Sequence, residues 1–218
     1  MTTPILHVGN KNYSSWSLRP WLVYRHFDLP FEEKLIPLFD DNWERSIGAV
    51  SPSGKVPCLV DGDLVIWETL AIIEYAAERH RDVPIWPKDP KARAVARSIS
   101  CEMHAGFGAM RAAMPMNVRK SLPGRGRTPE ALKDIARVTA LWRDCRAKHG
   151  KDGDFLFGPF SAADAMYAPV ASRFTTYAVE LDPVSEAYVK AVLALPAMAE
   201  WCAAGRAEPW IIEHDEVA

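Results

Sequence analysis

Ile5, Leu6 and Val8 form a short apolar run that stops at Gly9, which predicts a first strand over Ile5–Val8. Leu18, Trp21 and Leu22 then recur at helical spacing and predict a helix over 17–27, with Pro20 in its first turn, where a missing N–H costs little. Phe31 to Leu38 mixes apolar and charged residues, and its first half reads as a second strand; a short helix is expected over 43–50. Cys58-Leu59-Val60 and Leu64–Trp67 flank Asp61-Gly62-Asp63, which predicts a hairpin. Leu70, Ile73, Ala76 and Ala77 then return to helical spacing over 69–79, with Thr69 as the expected N-cap.

Residues 81–90, RDVPIWPKDP, carry three prolines and no periodicity. Beyond them every apolar pattern is helical. Val95, Ile99, Met103, Phe107, Met110 and Met114 predict one continuous helix that ends at Pro115. Leu132, Ile135, Thr139 and Trp142 predict a second, and Met166, Val170, Phe174 and Tyr177 a third. Tyr188, Val192 and Leu195 predict a fourth, and 198–202 a fifth. The expected organisation is an α/β domain over 1–80, a linker over 81–90 and an all-helical domain over 91–218. Strand–helix–strand followed by a hairpin and a helix is the order of a thioredoxin-like sheet.

The chain has 218 residues, 49% of them hydrophobic and 25% charged, a globular composition able to bury a sizeable core. No apolar run reaches the roughly 18–20 residues of a membrane helix, and the N-terminus lacks a signal pattern, so neither membrane insertion nor secretion is expected. The net charge of −2 argues against a nucleic-acid partner. It is unevenly spread: −4 over residues 1–86 and +2 over 87–218. Cys58, Cys101, Cys145 and Cys202 are far apart, without a dithiol motif or metal-ligand spacing. No metal is expected, and free cysteines fit a reducing cytoplasm.

Asn12-Tyr13-Ser14-Ser15-Trp16-Ser17-Leu18-Arg19-Pro20 lies between the first strand and the first helix. In open α/β sheets ligands gather at the carboxyl ends of strands, and hydroxyls beside a helix N-terminus suit an anion or a thiolate. The same residues also serve as ordinary turn and cap residues. Glu68-Thr69 opens another helix, where free N–H groups suit a carboxylate. Ser161-Ala162-Ala163-Asp164 fits a capping box and reads as structural, with Phe160 placed to staple onto Ala165 or Met166.

Taken in this order and spacing, the chain resembles the cytosolic glutathione transferases over nearly its full length. Lys55-Val56-Pro57 is similar to the family's Val-Pro before the third strand, where the proline is cis. Glu68-Thr69 is similar to its acidic–Ser/Thr pair, and Ser161-x-x-Asp164 to its helical-domain box. The nearest class is zeta, which includes maleylacetoacetate isomerases and carries Ser-Ser-Cys before the first helix. Here Ser14-Ser15-Trp16 stands in that register, with Trp16 replacing the cysteine and Arg19 matching.

The resemblance implies a thioredoxin-like domain followed by a helical bundle, assembled as a homodimer, with glutathione as co-substrate. Glu68 and Thr69 would hold the γ-glutamyl end. Lys55, Val56 and Pro57 would line the tripeptide, pairing it as an added strand on the Val56 main chain. Ser14 would stabilise the thiolate, with Ser15 the neighbour able to take its place. A small electrophile would lie between the halves, against Trp16, His104, Phe107, Arg111 and Tyr177. Met110, Phe174 and Trp210 are further candidates, although Met and Phe stripes on helices are more often core. His104 and Arg111 would face this cleft from two turns of one helix. Lowering a thiol by roughly two units from ~8.5 takes ~2.7 kcal/mol. One hydroxyl bond to a charged group supplies about 1.5–3 kcal/mol, so a serine suffices without a general base. A maleylacetoacetate isomerase, a non-enzymatic interaction protein of the same fold and a glutathione-dependent reductase are the alternatives; the last would carry a cysteine before the first helix.

Overall fold

A computed structural model describes residues 3–217. The N-terminal half runs β1 (Ile5–Val8), α1 (Ser15–His26), β2 (Glu32–Leu35), α2 (Trp43–Gly48), β3 (Cys58–Asp61), β4 (Leu64–Trp67) and α3 (Thr69–Arg79). The four strands form one sheet in the order β2-β1-β3-β4. β1 pairs parallel with β2, Ile5 opposite Glu32, and antiparallel with β3, Ile5 opposite Val60. The Asp-Gly hairpin closes with Cys58 opposite Trp67, and Gly62 takes the positive φ that the turn requires. This is a thioredoxin-like sheet, and the helical half follows it.

That half consists of α4 (Pro90–Ala105), α5 (Gly108–Ala113), α6 (Pro129–His149), α7 (Ala162–Thr176), α8 (Pro183–Leu193) and α9 (Pro196–Ala207). Among the described residues, no single helix is long and apolar enough to cross a membrane. α7 is buried along nearly its whole length, and α1, α4 and α8 pack around it. A single apolar core therefore runs from Leu6 and Val8 through Trp21 and Met166 to Trp142 and Trp201. Arg19 joins the halves. Fully buried, it donates from Nε to the Met166 carbonyl (3.0 Å) and from Nη1 to the Ser15 carbonyl (3.1 Å).

The structure corrects three sequence expectations. α1 starts at Ser15, two residues early, so Pro20 lies inside the helix rather than in its first turn. Its missing N–H leaves the carbonyl four residues back, that of Trp16, without its helical partner. Thr69 is likewise not the N-cap of α3, a position held by Glu68 at φ 70°. The Thr69 hydroxyl instead donates to the Trp16 carbonyl at 2.9 Å, so α3 supplies the hydrogen that the proline withholds from α1.

The helix expected to run through Met114 breaks into α4 and α5. Gly106 leaves helical geometry, where a Cβ would sit 2.7 Å from the Glu102 carbonyl oxygen, and Phe107 adopts φ 57°. Phe160, ahead of the capping box, packs on the rings of His26, Phe27 and Phe155.

The Pro20–Thr69 compensation is testable by melting temperature. Thr69→Val leaves the part-buried Trp16 carbonyl unpaired and is expected to cost about 1–3 kcal/mol and to lower Tm by several degrees. Thr69→Ser retains the donor and the stability. In a Pro20→Ala background, where the N–H is restored, Thr69→Val costs measurably less; equal costs in both backgrounds would break the link.

Candidate functional site

The loop after β1 is held by partners from both halves of the chain. Gly9 N–H donates to Ser17 Oγ (3.0 Å), and Asn10 Oδ1 accepts from Leu38 N–H (2.7 Å). Asn12 Oδ1 accepts from the N–H groups of Val118 and Arg119 in the helical half. The Glu208 carboxylate accepts from the N–H groups of Lys11 and Asn12. This frame fixes the start of α1, and Ser14 and Ser15 sit there, each 7% exposed.

Two cavities meet at this point. The smaller, about 200 Å³, is walled by Trp16, Ser53, Lys55, Val56, Pro57, Glu68, Thr69, His104 and Arg111. The larger, about 500 Å³, has Ser14 and Ser15 in its wall, with Tyr13, Phe39, Trp43, Met116 and Arg173 around it. Trp16, Lys55, Val56 and Arg111 belong to both. The Val56–Pro57 peptide is cis, and the Val56 main-chain N–H and C=O enter no hydrogen bond among the described residues. The cleft thus offers an unpaired strand edge between a carboxylate and a pair of serines.

The serines differ in their partners. Ser14 donates to Ser17 Oγ at 2.8 Å. Ser15 Oγ accepts from Arg173 Nη2 at 3.4 Å, which leaves the Ser15 proton free. Arg173 is held by the Met114 carbonyl at 2.7 Å, and burial, then the nearby Arg111 charge, lower its pKa to about 10. It remains a cation at neutral pH. Asp215 reaches the same cavity, its carboxyl raised by burial. Glu68 faces His104 across the smaller cavity, Oε2 to Nε2 3.5 Å.

Of the residues that the sequence singled out, Ser14, Ser15, Trp16, Lys55, Val56, Pro57, Glu68, Thr69, His104 and Arg111 converge on these two cavities. Phe107 and Tyr177 do not. Phe107 is buried at the α4–α5 break, and the fully buried Tyr177 donates its hydroxyl to the Pro115 carbonyl (3.0 Å). His104 and Arg111 come from two helices rather than one, and the break at Gly106 lets both reach the cleft. Sequence reasoning missed Arg173, His214, Asp215, Phe39 and Trp43. An arginine beside the apolar stripe of α7 was the available signal for Arg173; the others reach the site only through long-range folding.

Comparison with known proteins gives a consistent picture. The family model described as "Glutathione S-transferase, N-terminal domain" matches residues 13–79, and "Glutathione S-transferase, C-terminal domain" matches 125–204. A probable maleylacetoacetate isomerase of Caenorhabditis elegans is 39% identical over 104 residues, 48% of each chain. The maleylacetoacetate isomerase of Rattus norvegicus is 28% identical over 186 residues, 83% of this chain and 82% of the rat protein. The chain thus aligns with about half the length of the worm relative and most of the rat one. Among solved structures, a glutathione transferase homologue from Burkholderia gl BGR1 with bound glutathione superposes with a TM-score of 0.70 at 20% identity, over 95% of this chain and 100% of that one. Apo human glutathione S-transferase T1-1 gives 0.68 at 21% identity, over 93% and 89%. These likenesses concern the fold.

Proposed function

Because the chain belongs to the glutathione S-transferase family, we propose that it is a glutathione transferase that activates the tripeptide as a thiolate for attack on a small electrophile. The observation that carries this reading is the pair of serine hydroxyls at the start of α1, opening onto a cleft beside the unpaired Val56 main chain. An extended tripeptide adds to Val56 as a strand, with its γ-glutamyl end at the start of α3 near Glu68 and Thr69. Glu68 attracts the ammonium group of that end, and the free N–H groups of the first turn of α3 suit its carboxylate. The thiol then lies at the start of α1, where Ser14 or Ser15 donates to it and the N-terminal dipole adds about 0.3–1 kcal/mol. No side chain need remove the proton, because a lowered thiol pKa releases it to water.

The electrophile occupies the larger cavity, whose volume suits a small organic molecule. The protein is proposed to act as a homodimer; the exposed Leu64, Trp67 and Val95 on β4 and α4 supply apolar surface for a second copy. Isomerisation of maleylacetoacetate, the activity named for the worm and rat relatives, is the second reading, and Trp16 in place of the zeta-class cysteine counts against it. Ultraviolet absorbance of glutathione bound to the protein, followed against pH, tests the main reading. A thiol titrating near ~6.5 is expected; one titrating at its free-solution value would overturn it. A maleylacetoacetate assay with fast turnover would promote the second.

A further inference from the structure

Arg111 is a cation without an ion pair among the described residues, although Asp134 acts on it at a distance and Glu68 lines the smaller cavity with it. Its side chain enters no ion pair and no hydrogen bond among the described residues, and its Nε is buried without a partner. Burial lowers its pKa, and the Asp134 charge only partly offsets this. Asp134 is itself engaged, accepting the Met110 N–H at 2.9 Å. Around the larger cavity Lys55, Arg111, Arg173 and His214 face one carboxylate, Asp215, at the Arg173 side. A half-buried guanidinium left without an acceptor is costly unless something holds it there and a ligand completes it.

What holds it is a ring. Arg111 Cζ lies 5.1 Å from the centroid of Trp16, and Arg19 Cζ lies 4.2 Å from the same centroid. Arg19 is anchored to two carbonyls, His104 meets the Trp16 ring edge-on at 5.2 Å, and Thr69 ties the Trp16 main chain to α3. The ring is therefore fixed on several sides and offers its π density to the one guanidinium that has no other partner. Trp16 and Arg111 both belong to both cavities.

We propose that Trp16 is a positioning residue that holds Arg111 at the junction of the two cavities, where the guanidinium recognises the carboxylate of an acidic electrophile. This rests on the glutathione-transferase reading above and deepens it. A carboxylate clamped at the junction turns the reactive carbon of the electrophile toward the thiol end of the tripeptide. Planarity matters as well as charge, because a guanidinium stacks on an aromatic ring and pairs with a carboxylate through two parallel bonds, which an ammonium does not.

The test is equilibrium binding by calorimetry, with 4-methylbenzoate and 4-methylbenzamide as unreactive probes that differ in charge, on protein saturated with S-methylglutathione. The wild type is expected to bind the acid at least 10-fold tighter than the amide. Arg111→Met abolishes this preference, Trp16→Leu reduces it about 10-fold, and Trp16→Phe leaves it within 3-fold. Arg111→Lys keeps the charge but loses most of the preference, which preserves the test should Trp16→Leu fail to fold. No acid preference in the wild type, or full preference in Arg111→Met, overturns the recognition of an acid by Arg111. Full preference in a folded Trp16→Leu or in Arg111→Lys overturns the positioning role. Failure of S-methylglutathione itself to bind overturns the transferase reading instead, and the acid preference is then measured on the protein alone.

Discussion

Ser14→Ala is expected to raise the pKa of bound glutathione by ~1–2 units and to lower turnover near pH 7 by roughly 10-fold or more. A hydroxyl bond to a charged sulfur is worth about 1.5–3 kcal/mol, and one pKa unit is about 1.4 kcal/mol. In the ligand-free protein Ser14 donates to Ser17 Oγ. Ser17 Oγ also receives the Gly9 N–H, so Ser14 turns to a thiolate without leaving Ser17 unpaired. Ser15→Ala is expected to do less to the titration. It also removes the acceptor of Arg173 Nη2, so its effect falls partly on the larger cavity. Glutathione affinity changes little in Ser14→Ala, because the tripeptide is proposed to be held elsewhere. Thiolate absorbance against pH for the wild type and both variants decides between the hydroxyls. A larger shift in Ser15→Ala moves the role to Ser15, whose proton is free and whose oxygen already faces a cation. No shift in either variant removes the serines from the mechanism.

Asp164→Ala is expected to be strongly destabilising, costing about 3–5 kcal/mol, because several buried donors lose their acceptor at once and each unsatisfied group costs about 1–3 kcal/mol. Asp164 is fully buried, and its carboxylate accepts four hydrogen bonds. These come from Leu156 N–H (3.0 Å), Ser161 N–H (2.8 Å), Ser161 Oγ (3.0 Å) and Tyr188 Oη (3.1 Å). The Ser161 hydroxyl donates to the carboxylate, so the box closes through Asp164 and reaches beyond α7 to α8. At about 2–4 °C per kcal/mol for a chain of this size, the loss corresponds to roughly 6–20 °C in Tm. Asp164→Asn retains an acceptor and should lose less.

Burial pushes the Asp164 carboxyl up to about 6, against the four donors. Between roughly pH 4 and 6 the native state therefore holds a proton that the unfolded chain has released, so this group's contribution is greatest at the acid end and declines as pH rises through 6. The difference in stability between wild type and Asp164→Asn, measured by denaturant titration at pH 4 and pH 7, should therefore change in the wild type's disfavour with rising pH. A constant difference would place the carboxyl at an ordinary pKa.

The sequence by itself determined the order of elements, because each carries its own short-range signal. The Ile5–Val8 run, the Asp-Gly turn and the period of α6 and α7 need no partner to be read. It also picked out most of the residues that line the candidate site, since Ser14-Ser15-Trp16, Lys55-Val56-Pro57 and Glu68-Thr69 are local motifs at element ends, where main-chain groups are unpaired. The tertiary structure alone decided how those motifs are used. Thr69 reads as a cap, but the carbonyl that Pro20 leaves open is 53 residues away in sequence, and no local pattern links them. Met103, Phe107 and Met110 keep helical spacing through a break, because apolar periodicity records burial, and a glycine followed by a residue at positive φ can keep residues buried while ending a helix. Arg173 looked like a charged residue on an apolar helix. It became part of the site only because α7 packs against α1, which brings its guanidinium to Ser15 across 158 residues. Charges such as Arg111 and Arg173 are identical letters wherever they stand; burial and the absence or presence of a carboxylate within reach give them their chemistry, and only the fold sets those.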